Sequence, residues 1–254
     1  MRKLAATSDV VVENFRVGKL REYGLSYDDL RAVNPAIVYA SVTGYGQTGP
    51  RRDEAGYDFA IQGRGGLMSI TGEPENPVKV GVAITDIMTG MYTTTAILAA
   101  LTHRDLTGVG QYIDMALMDV QTTFLANQGM NYLVSGKPPV RLGNSHPNVS
   151  PYDALECADG YFILAVGNDR QFQACCRALK LHELTMDQRY MTNSARVSNK
   201  QSLRAILSQV LKTKTKAEWM AKLTEAGVPC SPINNIAEVF DDPQVKARGM
   251  QRQV

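Results

Sequence analysis

Apolar residues fall in short blocks of changing period. Residues 8–12, Ser-Asp-Val-Val-Val, form a valine-rich run with no alternation, the pattern of a strand buried in a parallel sheet. Residues 37–42, Ile-Val-Tyr-Ala-Ser-Val, repeat that pattern. Between them Ser26 and Asp29 have the spacing of a capping box, and the helix they open must stop near Asn34, because Pro35 disfavours helical backbone in the residue before it. Strand, helix and strand in succession make one βαβ unit, and hence a parallel sheet with a right-handed crossover.

The spacing next predicts a helix over residues 86–103, with Ile87, Met91, Leu98 and Leu101 on the side expected to pack against the sheet. A glycine turn at 107–110 ends it. Residues 112–116 predict a short strand, and residues 117–134 a single helix with Val120, Phe124 and Leu125 inward. Asp119 then falls in the first helical turn after a strand.

From 136 to 151 the composition shifts to Gly, Pro, Asn and Ser, which predicts a long mobile loop and a domain boundary. Residues 152–157 and 161–166 flank Asp159-Gly160, a strong hairpin signal. Helices are predicted at 169–179, 198–211 and 215–226, the last with a Thr215 to Glu218 capping box and Gly227 at its end.

Composition narrows the function classes. The 254 residues are 44% hydrophobic and 20% charged with a net charge of +2, as in an ordinary globular protein. Lys and Arg are scattered rather than blocked, so no nucleic-acid partner is expected. No apolar run approaches the roughly 20 residues of a membrane span, residues 1–8 lack a signal-peptide core, and the cytoplasm is the expected address. Four cysteines, two adjacent at Cys175 and Cys176, give neither a disulfide framework nor a metal site, and buried reduced thiols are expected.

Candidate chemistry is sparse by spacing alone. Gly44-Tyr-Gly-Gln-Thr-Gly49 matches a dinucleotide-binding turn, but the following Pro50 to Gly56 stretch has no helical period to aim N–H groups at a pyrophosphate. A glycine-rich loop after a parallel strand still lets backbone approach a ligand closely. A lone Asp119 in a first turn is more often a dipole partner than a catalyst, although that position favours the ionised carboxylate that attack on a thioester needs. Asp86 shares this ambiguity, and His146 in a polar loop reads first as exposed.

Longer strings carry more. Val11-Val-Glu-Asn-Phe-Arg16, Asn34-Pro35, Ser41 to Pro50, Ala55-Gly-Tyr-Asp58, Gly108-Val-Gly-Gln111 and Asp114-Met-Ala-Leu-Met-Asp119 resemble, in that order, the family III CoA-transferases, which include formyl-CoA and carnitine CoA-transferases and the α-methylacyl-CoA racemases. The resemblance extends through Gly227 to Asn234 and Asp242 to Gly249. It implies an α/β fold: a parallel-sheet large domain, here incomplete, with a smaller α+β domain, in an interlocked homodimer. The expected division is 1–140 for the large CoA-binding domain, 141–151 for a lid loop, 152–240 for the small domain and 241–254 for the start of a return linker.

By the same resemblance Asp119 is the catalytic aspartate, and the substrates are coenzyme A, as an acyl-CoA, and a small carboxylic acid. Asn14, Phe15 and Arg16, with Tyr45 and Gly46, are the implied CoA-binding residues. Gly143, Asn144 and His146 match a lid that closes over the aspartate and offers oxyanion donors, although the family's glycine run is absent. Tyr57 and Asp86 stand at the two bases of the racemase branch. A phenol holds its proton near neutral pH, so Tyr57 is a poor substitute for that branch's imidazole, and a transferase is favoured. The similarity to dicarboxylate-using members points to succinyl-CoA. Relative to the family pattern the chain is expected to be truncated at both ends, which leaves a non-catalytic remnant as a third reading.

Overall fold

The structure is a computed structural model and describes residues 1–252. The chain divides into two compact units, Met1–Gly143 and Asn144–Val254.

The first unit contains α1 (Arg2–Ala5), β1 (Val10–Glu13), α2 (Tyr27–Arg31), β2 (Val38–Thr43), α3 (Asp58–Arg64), α4 (Leu67–Ile70), β3 (Gly72–Glu73), β4 (Asn76–Pro77), α5 (Ile84–Thr107), β5 (Tyr112–Ala116), α6 (Leu117–Thr123) and α7 (Ala126–Ser135). β1, β2 and β5 form a parallel sheet in that order, with Val11 opposite Tyr39 and Ala40 opposite Ile113. The βαβ unit is present, and its helix starts where the capping box put it: Ser26 Oγ accepts from the Asp29 N–H while Asp29 takes the Ser26 N–H. The family fold is therefore the observed one, helices around a parallel sheet.

Three expectations change. β1 is an edge strand of its sheet rather than a doubly buried one: Val10 and Val11 are half-buried and Val12 is 58% exposed. The run 117–134 is two helices, because Ala126 takes a left-handed φ of 48° that an α-helix does not accommodate. The larger change concerns α5, whose buried face is Thr85, Thr89, Thr93 and Ala100, while Ile87, Met91 and Leu98 are exposed. The hydroxyls of Thr89 and Thr93 donate to the carbonyls of Thr85 and Thr89, both at 2.7 Å. With its hydroxyl satisfied inside the helix, threonine packs as a small branched side chain. By length and apolar composition α5 also meets the criterion for a membrane-crossing helix, which the residue count above did not foresee. Its threonine face packs on the sheet and on α3 and α6, while most of the helix surface is exposed, 22% of that apolar stretch being buried.

The second unit contains β6 (Tyr152–Cys157), β7 (Gly160–Ala165), α8 (Asp169–Leu179), α9 (Asn193–Ser198), α10 (Lys200–Leu211), α11 (Lys216–Glu225), β8 (Cys230–Pro232), α12 (Ile236–Asp241) and α13 (Pro243–Ala247). The predicted hairpin forms, and β8 adds antiparallel to β7. Leu155, Phe162, Leu164, Phe172, Leu203, Leu207, Leu223 and Trp219 close a continuous core between this sheet and its helices. Cys157, Cys175 and Cys176 are buried free thiols within it, and burial pushes the Cys175 and Cys176 thiols up, the latter to about 11.

Candidate active site

The site begins where the parallel strands end. Beyond β2 the chain turns through Gly44 to Gly56 with no helix until α3 opens at Asp58, so the glycine motif does not lead into a helix N-terminus. The loop is tied instead by side chains: the Gly46 N–H donates to Thr43 Oγ1 at 2.9 Å, and the Gln47 N–H to the Asp114 carboxylate at 3.0 Å. Gly44 and Gly56 cross back to back, so closely that a Cβ on Gly44 would lie 2.5 Å from the Gly56 Cα. Only glycine at both positions permits this crossing, and it places Tyr57 and Asp58 beside the end of β2.

A cavity of about 1130 Å³ opens there, on the α5 side of the sheet. Asn14, Phe15 and Arg16, which follow β1, line it, and so do Tyr57 and Asp86. Its floor is Thr89, Gly90 and Thr93 of α5 and Leu117 at the start of α6. Five of the residues singled out from the sequence thus meet in one place. Tyr45 and Gly46 do not line it; Tyr45 lies under the Arg64 guanidinium, 5.8 Å from its ring centre. Arg16 has no ion-pair partner among the described residues and also lines a second hollow of about 470 Å³ on the opposite face of the sheet. There the rings of Tyr27 and Tyr112 stack at 5.2 Å, the Tyr112 hydroxyl donates to Ser41, and Ser41 donates to Glu13. Burial above all pushes the Tyr39 and Tyr112 phenols upward in this hollow, which the sequence reading missed.

Asp119 is the third residue of α6, after Leu117 and Met118. Its side chain is exposed, is not among the residues lining the larger cavity, and has no hydrogen-bond or ion-pair partner among the described residues. The helix end beneath it is fixed by the Met118 N–H, which donates to the Gly44 carbonyl at 3.0 Å. Asp86 differs. Partial burial at the cavity, and secondarily the Asp58 carboxylate, push its carboxyl above the usual range. No group of three or more His, Cys, Asp or Glu suited to a metal occurs among the described residues.

The remaining candidates lie along the connection. Gly143 closes the first unit, its N–H donating to the Gly72 carbonyl at 3.0 Å. Asn144 and His146 belong to the second unit, where Asn144 is exposed. His146 Nδ1 accepts from the Asn148 N–H at 3.0 Å, which puts the proton of the neutral ring on Nε2. Asn193 grips the loop with both amide atoms, Oδ1 taking the Ser150 N–H and Nδ2 donating to the Asn148 carbonyl. Arg196 donates to the Ser150 carbonyl at 2.7 Å. The second half of the loop expected to be mobile is thus braced by α9.

Comparison with known proteins decides the family, because the sequence profile of CoA-transferase family III matches residues 1–254. The chain belongs to this family. It is 53% identical over 252 residues to a succinate–glutarate CoA-transferase of Agrobacterium fabrum, covering 99% of this chain and 63% of that protein. It is 43% identical to the human succinyl-CoA:glutarate CoA-transferase, over 98% of this chain and 57% of the relative. The chain therefore spans about three fifths of the length of these family III relatives. Among solved structures, a CAIB/BAIF family protein from Brucella suis is 53% identical with a TM-score of 0.84, over 99% of this chain and 67% of that one. Rv3272 from Mycobacterium tuberculosis is 31% identical with a TM-score of 0.89, over 100% of this chain and 67% of that one.

Proposed function

We propose that this chain moves coenzyme A from an acyl-CoA to a carboxylic acid through covalent intermediates on Asp119, with succinyl-CoA and a dicarboxylate such as glutarate as the substrate class. The observation that carries the reading is the placement of Asp119: an unpartnered, exposed carboxylate in the first turn of a helix that follows directly on a parallel strand. The names of the relatives support the substrate class.

In the proposed sequence the Asp119 carboxylate attacks the thioester carbonyl of the donor. The C–S bond breaks, and a mixed anhydride and CoA thiolate result. The thiolate attacks the aspartyl carbonyl of the anhydride, releasing the donor acid and leaving an aspartyl-CoA thioester. The acceptor carboxylate attacks that thioester, forming a second anhydride and freeing the thiolate. Attack of the thiolate on the acceptor's acyl carbon then releases the new acyl-CoA and restores the Asp119 carboxylate. No net proton or electron is consumed. Arg16, without an ion-pair partner among the described residues, would meet CoA phosphates by charge-assisted hydrogen bonds, and Asn14 and Phe15 would line the carrier's path.

Peptide mass after incubation with succinyl-CoA and hydroxylamine or borohydride tests the assignment. The label is expected on Asp119 and absent from Asp119→Ala. A label elsewhere, or one that survives the substitution, would refute it. Exchange of the α-proton of a branched acyl-CoA in deuterated water, without acceptor-dependent transfer, would instead support the racemase alternative built on Tyr57 and Asp86.

A further inference from the structure

Asp119 has no hydrogen-bond or ion-pair partner among the described residues, so the place of its carboxylate depends on how α6 is held. A chain of largely buried polar contacts does this. Gln121, two residues on in α6, is fully buried, and its Oε1 accepts from Thr85 Oγ1 at 2.8 Å. Thr85 is the second residue of α5, whose own N-cap, Ala83, offers no side-chain acceptor. Its N–H donates to Asp58 Oδ1 at 2.8 Å. The other oxygen of Asp58 accepts from Gln62 Nε2 at 2.7 Å, and Gln62 Oε1 accepts from the Val80 N–H at 2.9 Å. Asp58, at the start of α3, thus does for α5 what a cap residue ordinarily does within its own helix.

Two further observations concern the seat of Gln121. Among the described residues its Nε2 is buried with no hydrogen-bond partner, so the Oε1 bond to Thr85 is the polar contact that holds the side chain. Gly65 of the turn after α3 gives way to Gln121 as well, since a Cβ there would lie 2.3 Å from Gln121 Cγ.

We propose that Asp58 is a positioning residue: it caps α5 from the neighbouring helix and, through Thr85 and Gln121, sets the register of the α6 turn that carries Asp119. The inference rests on the reading of Asp119 as the nucleophile. It gives the Ala55-Gly-Tyr-Asp58 string a role, because the Gly44 and Gly56 crossing delivers Asp58 to α5 while the Met118 N–H ties the same Gly44 to α6. The loop, α5 and α6 are three sides of one frame. Asp86, next to Thr85, lines the cavity and is placed by the same cap.

The test uses the whole chain with Asp58→Asn, Thr85→Val and Thr85→Ser. Asparagine has one acceptor oxygen where Asp58 has two, so the Thr85 N–H and Gln62 Nε2 can no longer each have their own, and valine deletes only the hydroxyl that Gln121 accepts. Trapping of the acyl group on Asp119 and kcat for transfer are each expected to fall about 10- to 100-fold in Asp58→Asn and Thr85→Val, the loss that a displacement of about 1 Å produces. KM for the acyl-CoA should stay within about twofold, since carrier contacts are untouched. Thr85→Ser, which restores the hydroxyl, should recover most of the rate. Hydrogen exchange supplies a readout independent of activity: the amides of Thr85 and of Met118 to Gln121 should exchange faster in both damaging variants. Lowered thermal stability with kcat retained, or a serine variant no better than valine, would overturn the proposal. If the unaltered protein neither transfers CoA nor forms an adduct, the nucleophile reading fails by itself. The network is then judged by exchange alone, and unchanged α6 protection in Asp58→Asn would reject it too.

Discussion

The two units treat buried polar groups in opposite ways. In the second, the side chains beneath the sheet are Leu155, Phe162, Leu203, Leu207, Leu223 and Trp219, and the fully buried cation Arg196 has all three nitrogens engaged. Its Nε meets the Ser150 carbonyl, Nη1 the Tyr190 carbonyl and Nη2 the Asp169 carboxylate, with the guanidinium 4.4 Å from the Phe172 ring centre. In the first, the layer among α3, α5 and α6 mixes Thr85, Thr89, Thr93, Gln62 and Gln121 with Ile61, Leu117 and Val120, one amide nitrogen has no partner among the described residues, and α5 presents Ile87, Met91 and Leu98 outward. The second unit uses its burial for stability. The first keeps polar groups in its core, and in the proposal above these position the carboxylates of Asp119 and Asp86.

If that contrast is right, damage to the two units separates activity from stability. The largest effect belongs to Asp119→Asn, which keeps shape and removes charge: transfer is expected to fall by about 10⁴-fold or more, measured as acceptor-dependent acyl-CoA formation. Because no hydrogen bond or ion pair holds the Asp119 side chain among the described residues, thermal unfolding should shift by no more than the roughly 1 kcal/mol of a lost helix-dipole interaction. A variant that unfolds instead would blur the contrast.

Arg196→Met is expected to act the other way. It leaves the Ser150 and Tyr190 carbonyls without their buried donor and should destabilise the second unit by about 3–5 kcal/mol, read from denaturant unfolding of the whole chain. The Asp169 partner is 54% exposed, so the ion pair itself contributes little of this. A loss below about 1 kcal/mol would show the arginine to be replaceable packing. Smaller again is Thr215→Ala, which removes one half of the α11 capping box and should cost about 1 kcal/mol in the same measurement.

The smallest effect is a pH dependence. Burial raises the Asp153 carboxyl above its ordinary 3.8, against the opposing pull of Arg204 and the Ala154 N–H. As pH rises from that ordinary value through the higher folded one, the unfolded chain gives up its proton first, so this group's contribution to stability is lost with rising pH. Asp153→Asn should flatten the fall in midpoint temperature across that window; a steeper fall would mean that the charged pairing with Arg204 dominates.

Local chemistry made much of this molecule legible in its sequence. The capping boxes at Ser26 and Thr215 and the Asp159-Gly160 turn each rest on interactions within a few residues, and each formed as expected. The ordered strings around Asn14, Gly44, Tyr57 and Asp119 likewise sufficed for the family. What faces inward on α5 was not legible. Counting apolar side chains selects Ile87 and Met91, whereas the sheet takes the threonines, whose hydroxyls turn back on their own helix and leave methyl groups to pack. Gln121 and Asp58 were overlooked for a related reason: a buried amide and a cap supplied from another helix draw their meaning from partners 36 and 27 positions away. The sequence by itself determined the first βαβ unit, the β6–β7 hairpin, the capped helix starts and the kinship. Only the tertiary structure decided which face of α5 is buried and which polar groups fix α6, because those choices are made by contacts between segments that no local pattern records.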